Sequence, residues 1–359
     1  MDRTDSQYPT ALSVDDFELL DYLLEDDEIE LPQTLKISRR ENLDPAPLSY
    51  AQSRLWFLEQ LESESGVYNT GGAVRLVGVL DVAALAASLN EIVQRHEILR
   101  TTFAIANGQP VQVIAPTLTV TLPVIDLQQL PDQEREKEVQ RLAIQEADRP
   151  FDLTEAPLLR VTLLKLGQTE HILLLTMHHI VFDGWSREVL VRELATLYEN
   201  FSRGKYSPLP ELPIQYADFA HWQRQRLQGE VLEQQLTYWK QKLADAPTVL
   251  ELFTDRPRPA VQTFRGSTQF FELSPSLTQK LKQLSQKQGV TLFMTLLAAF
   301  QTLLYRYTNQ KDICIGSPIA NRNCHQIEPL IGFLSIPSSY VRTYQAIPVF
   351  NNCWIGFGK

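Results

Sequence analysis

The seven residues His178-His179-Ile180-Val181-Phe182-Asp183-Gly184 constrain this chain more than any other stretch. They follow the apolar run Ile172-Leu173-Leu174-Leu175-Thr176-Met177, which reads as a buried strand. Two histidines at the end of a buried strand are costly to desolvate without partners. Successive strand side chains point to opposite faces, so one histidine can meet a reacting group while the other faces protein. Asp183-Gly184 reads as a turn. Imidazole is the side chain best suited to moving a proton near neutral pH; a pair of satisfied core histidines is the alternative. Adjacent imidazoles point apart and no third ligand sits at a familiar spacing, which argues against a metal.

Composition narrows the remaining classes. With 44% hydrophobic residues over 359 positions, the chain can bury a sizeable core. No apolar run reaches the roughly 18 residues of a membrane span, and Met1-Asp2-Arg3-Thr4-Asp5-Ser6 lacks the order of a secretory signal. Cys314, Cys324 and Cys353 have no metal or redox spacing, so free thiols in a reducing cytoplasm are expected. Residues 1–45 carry 13 acidic and 4 basic side chains, hence -9 of the net charge of -10. The body is nearly neutral, which argues against nucleic-acid binding by phosphate neutralisation. Within the acidic leader, Leu12 to Glu30 reads as an amphipathic helix capped by Ser13, either a docking helix for a partner or a solvated leader.

Helical and strand patterns alternate irregularly, which predicts mixed α/β with antiparallel pairing. Helices are expected over Ser49 to about Glu62, from Asp81 with Leu85, Leu89 and Ile92 inward, over Asp132 to Ala147, and over Ser186 to Phe201. Strands are expected at 73–77, 158–164 and 171–177. Tyr216 to Leu243 is mostly helical. Ser274-Pro275 starts a helix with Leu277, Leu281 and Leu284 as its stripe. Leu292 to Tyr307 is apolar enough to predict a buried helix.

His178 to Gly184, extended through Trp185-Ser186, resembles the active-site motif of condensation domains of nonribosomal peptide synthetases, in the chloramphenicol acetyltransferase-like superfamily. Four further blocks agree in order: Leu48 to Leu58, Arg95 to Phe103, Tyr216 to Gln223, and Gly316 to Asn323. The resemblance covers about Leu48 to Phe333. It implies a two-lobed α/β fold with a tunnel between the lobes: leader 1–45, first lobe 46–215, partial second lobe 216–333. It further implies amide-bond formation between aminoacyl or peptidyl thioesters. These ride on phosphopantetheine arms of upstream donor and downstream acceptor carrier proteins, with no cofactor bound by this chain. By position, His179 would orient or deprotonate the attacking amine, and His178 would be structural. Asp183 would form a buried ion pair, with Arg100 as first-choice partner and Arg95 as second. Gly184 would permit a tight turn, its N–H available to an oxyanion. Phe182, Trp185 and Ser186 are candidates to line the tunnel. An epimerisation-type domain, a stand-alone acyltransferase and an inactive truncated remnant or binding module remain as alternatives.

After Phe333 the resembled family continues with a motif like Phe-Val-Asn-Thr-x-x-x-Arg-Thr, whereas this chain reads Leu334-Ser335-Ile336-Pro337-Ser338-Ser339-Tyr340-Val341-Arg342. Codons that encode Ser335 to Arg342, read two bases on, give Asn-Thr-Leu-Val-Leu-Arg-Thr. Residues 334–359 are therefore expected to be out of frame, and Pro337 to Lys359 not to pack in a native way; ordinary divergence is the alternative.

Overall fold

The computed structural model describes residues 36–41, 45–61, 66–260 and 266–343. The leader segment Leu12 to Glu30 lies outside the described residues. The chain divides into a larger unit, Lys36–Leu236 with Pro318–Ser338, and a smaller one, Thr237–Ser317 with the described residues from Ser339.

The larger unit holds two sheets. One has the order β2 (Asn69–Val77), β7 (Glu170–His178), β6 (Leu159–Lys165), β5 (Val124–Asp126). Its pairs are antiparallel except β5 with β6, so the sheet is mixed. β7 is apolar on both faces because both are covered. Leu173 and Met177 join Leu159, Val161 and Leu163 in the main core, with Leu85, Leu89 and Ile92 of helix α2 (Val82–Arg95) and Val189, Leu190 and Leu197 of α4 (Gly184–Phe201). Ile172 and Leu174 alternate to the other face, against Val139 and Leu142 of α3 (Asp132–Asp148). Asp81 caps α2 by accepting the Ala84 N–H at 2.9 Å. The second sheet has the order β1 (Ala46–Pro47), β4 (Gln109–Ile114), β3 (Thr101–Ala106). Asn107-Gly108, both with positive φ, closes the β3–β4 hairpin, as a two-residue primed turn requires.

Helix α1 (Tyr50–Leu61) begins with a capping box. The Ser49 N–H donates to Gln52 Oε1 at 3.0 Å and the Gln52 N–H to Ser49 Oγ at 3.1 Å. The same Gln52 donates from Nε2 to Ile180 O at 3.3 Å, tying α1 to the active-site motif.

The expected domain boundaries move. Ile37 is buried and exchanges hydrogen bonds with Gln326, so residues 36–41 belong to the folded body rather than to a leader. Helix α5 (Tyr216–Arg226) belongs to the larger unit, where Tyr216, Ala217, Phe219 and Ala220 are buried. So does Pro318–Ser338, because Arg322, Ile327, Leu330, Ile331 and Leu334 pack into the same core or beside it. Packing thus runs past Phe333.

The smaller unit contains α7 (Pro275–Gln288), α8 (Leu292–Thr308) and most of β8 (Asp312–Ile319), which pairs with β9 (Ile336–Thr343). Helix α6 (Gly229–Leu243) leads into it from the larger unit. Ser274 caps α7 as expected. Two expectations are corrected here. The α7 stripe is only partly covered: Leu277 and Leu284 are exposed, Leu281 is half-buried, and only Ser285 is buried. Helix α8 buries Leu297, Ala298 and Leu304 but leaves Leu296, Phe300, Leu303 and Tyr307 in solvent. No single helix among the described residues is long and apolar enough to cross a membrane.

Candidate active site

β7 ends at His178, and the chain turns through one 3-10 turn, His179–Val181, into α4. The two imidazoles do point apart, but the turn separates them rather than strand alternation. His178 is buried between the rings of Tyr68 and Phe151, each 6.2 Å away. Its Nδ1 accepts the Ile180 N–H at 3.2 Å, which puts the ring proton on Nε2. That nitrogen faces Glu59 Oε2 at 3.5 Å without forming a hydrogen bond.

His179 is only half-buried. Its ring lies 4.6 Å from that of Phe333. Nδ1 is 2.6 Å from Phe182 O. A carbonyl can only accept, so the proton is on Nδ1 and Nε2 keeps its lone pair. This tautomer is the one a general base needs.

Asp183 is fully buried and caps α4. Its Oδ1 accepts from Ser186 N at 2.9 Å, Ser186 Oγ at 2.7 Å and Arg322 Nη2 at 3.1 Å. Its Oδ2 accepts from Leu334 N, Ser335 N and Ser335 Oγ at 3.1, 3.0 and 2.9 Å. The ion pair with Arg322 has no exposed side-chain surface on either partner. Arg322 also donates from Nη1 to Ile327 O and Leu330 O. Burial pulls its pKa down and Asp183 opposes that.

Both expected arginine partners are therefore wrong. Arg100 bonds Ala115 O and sits 3.7 Å from Glu97. Arg95 pairs with Glu193 at 3.0 Å. The brace role of Asp183 stands, with a partner from the Gly316 to Asn323 block. Asp183-Gly184 is a helix start rather than a free turn. Gly184 has no positive φ, and a Cβ there would meet nothing within 4 Å, so the fold does not need its conformational freedom. Of the three tunnel candidates, Phe182 is in the main core and Ser186 is enclosed in the Asp183–Arg322 network. Neither can line an open space. Trp185 is half-buried and donates from its indole N–H to Glu328 O at 3.0 Å.

Three supporting groups were not singled out from the sequence. Tyr216 donates to Phe333 O at 2.6 Å and shares a 2.8 Å hydrogen bond with Ser49 Oγ; burial pushes its pKa upward. Gly332 packs so closely on Tyr216 that a Cβ would overlap the ring. His96 takes the Ile331 N–H on Nδ1 at 3.3 Å and meets Glu193 Oε2 from Nε2 at 2.9 Å. Burial holds His96 below its ordinary pKa. Burial would raise Glu193, but hydrogen bonds and charge from His96 and Arg95 outweigh it and hold that carboxyl low. His96 and Tyr216 stand inside two of the family-like blocks, which is the available signal. No cluster of three or more potential metal ligands occurs among the described residues.

Known proteins resemble this chain in sequence and in fold. A family model described as "Condensation domain" matches residues 42–336. The chain is 54% identical over 301 residues to a linear gramicidin synthase of Brevibacillus parabrevis, covering 84% of this chain and 6% of that protein. The chain thus spans a small fraction of the synthetases it matches. Among solved structures, the X-domain in complex with OxyB from teicoplanin biosynthesis aligns at TM-score 0.80 and 29% identity, over 90% of this chain and 70% of that one. The first condensation domain of the CDA synthetase aligns at TM-score 0.73 over 88% of this chain and 75% of that one; at 22% identity it speaks for the fold alone. With the family model spanning most of its length, and with a two-unit α/β architecture of mixed sheets like that of the chloramphenicol acetyltransferase-like fold, this chain belongs to the condensation-domain family of nonribosomal peptide synthetases.

Proposed function

We propose that this chain supplies the site for amide-bond formation, in which the amine of an acceptor aminoacyl thioester attacks a donor thioester. The observation that carries the reading is the His179 tautomer. Its Nδ1–H is spent on Phe182 O, so Nε2 of a half-exposed ring is free to accept a proton from the attacking ammonium. The N–H groups of the first turn of α4 lie at the positive end of its dipole, and Gly184 N–H is the candidate donor to the tetrahedral oxyanion. Donor and acceptor would arrive on phosphopantetheine arms of carrier proteins, as in the multidomain synthetases that resemble it.

Peptide formation from loaded donor and acceptor carriers tests this. His179→Ala should lower the rate by roughly 10²–10⁴-fold without changing the melting temperature. Gly184→Ala is the sharper variant. The backbone accepts it and nothing occupies the space above it, so it should fold normally yet slow the reaction if the substrate approaches there. Full activity in both variants would overturn the reading.

A second reading, a protein-binding module without catalysis, is favoured by the similarity to an X-domain whose structure was solved in complex with OxyB. The inferred frame change after Phe333 favours it too. Assaying the chain beside a version re-read as Asn-Thr-Leu-Val-Leu-Arg-Thr separates the two. Activity only in the re-read version assigns the present chain to the inactive class.

A further inference from the structure

A cavity of about 440 Å³ opens between α1 and β3, away from the His179 side of the motif. It is lined by Trp56, Phe103, Ile105, Phe151, Leu153 and Pro150, together with the two acids Glu59 and Asp152. Among the described residues, no lysine, arginine or histidine lines it. Glu59 is the unusual member. Its side chain is 5% exposed, and its Oε2 is buried without a hydrogen bond, facing only His178 Nε2 at 3.5 Å. A buried carboxylate oxygen left unsatisfied is costly to hold in a folded protein. Asp152, by contrast, is turned to solvent and engaged with the N–H and hydroxyl of Thr154. Arg160 stacks over the Phe151 ring at 3.7 Å, but it is paired with Glu146. The cavity therefore offers aromatic and aliphatic walls and one buried anionic group, with Arg160 already on one face of Phe151.

We propose that this cavity is a binding site for an organic ammonium with a small apolar body. Its charge would be set against Glu59 and its body against Trp56, Phe103 and Phe151. A cation near aromatic faces gains further attraction from the ring quadrupole, most of all from tryptophan. The ammonium can be a free amine or the amino group of an aminoacyl thioester; the chemistry is the same. Occupancy would be felt at the motif, because Glu59 Oε2 also faces His178. The proposal does not depend on the amide-forming reading, since binding is measured on the chain alone, without carriers.

Calorimetric titration at neutral pH with 2-phenylethylamine tests it, with 2-phenylethanol as the neutral match. The N-acetylcysteamine thioester of phenylalanine and its N-acetylated form make a second pair. The ammonium member of at least one pair should bind at least ten-fold more tightly than its neutral match, and which pair responds assigns the source. Glu59→Gln should remove that preference. Should Glu59→Gln fail to fold, Ile105→Lys serves instead. Ile105 is 66% exposed at the cavity rim, so a lysine there is tolerated and repels the incoming cation, weakening it several-fold. No binding, equal binding of charged and neutral ligands, or an unchanged preference in the folded variants would overturn the proposal.

Discussion

In the larger unit the buried Asp183–Arg322 pair sits inside a dense hydrogen-bond network, whereas the smaller unit leaves many of its apolar side chains in solvent. Asp183 receives six hydrogen-bond donations, from Ser186, Arg322, Leu334 and Ser335. Both core clusters lie in that unit. In the smaller unit only Ser285 is buried on α7, while Phe270, Phe271, Leu277, Phe300, Leu303 and Tyr307 are exposed. Exposed apolar residues in such density normally mark a surface that something else covers. The lesson is that motif density and structural completeness travel together. Four of the five family blocks lie within the larger unit, and so does most of the fifth, from Pro318 to Asn323, including Arg322.

The largest effect should come from opening the most closed network. Arg322→Ala strands the Asp183 carboxyl without its cation and should cost about 3–5 kcal/mol in urea unfolding of the larger unit. An effect below 1 kcal/mol would mean that the backbone donors alone satisfy Asp183. Gly332→Ala comes next. Its Cβ would overlap the Tyr216 ring, which two hydrogen bonds hold in place, so a loss of about 1–3 kcal/mol is expected from the strain. Tyr216→Phe, which frees the ring to move, should rescue part of that loss in the double variant.

How much of this was legible varies with the kind of information involved. The strand ending at His178, the Ser274-Pro275 helix start and the Asp81 cap are local, and periodicity or capping chemistry showed them. The brace on Asp183 was legible as chemistry but not as a pairing. Arg100, Arg95 and Arg322 all stand in motif blocks, and sequence separation says nothing about which one folds back over 139 positions. Asn107-Gly108 is a local hairpin signal of the same readable kind. The exposed face of α8 departs from the sequence expectation for a physical reason. An apolar helix carries the same pattern whether or not its covering layer is present. Glu59 could not have been singled out from sequence, because its isolation is a property of the packed neighbourhood alone.

A smaller effect follows from the His96–Glu193 contact. Burial depresses the His96 pKa in the folded chain. Its stabilising contribution is fully present above the unfolded value of about 6.5 and is lost as pH falls below it towards the folded value. One such group gives a slope of at most about 1.4 kcal/mol per pH unit. Unfolding measured at pH 7.5 and 5.5 should show the chain weakening, and His96→Gln should weaken less over the same interval. Parallel curves would place the acid sensitivity elsewhere.

The smallest effect should appear where the comparison is sharpest. Phe300 and Leu303 lie on the α8 face that is about half exposed, at 48% and 51%. Phe300→Gln and Leu303→Gln remove apolar surface that is already in water, so little transfer free energy is lost. Each should change unfolding stability by no more than about 0.5 kcal/mol, as surface substitutions usually do. The same changes to buried Leu297 or Leu304, on the covered face of that helix, should cost several times more. A loss above about 2 kcal/mol at Phe300 would show that this face is covered in solution. Light scattering on the same samples would then say by what: a second copy of the chain gives a larger particle that the variant dissociates, whereas an intramolecular cover leaves the mass unchanged.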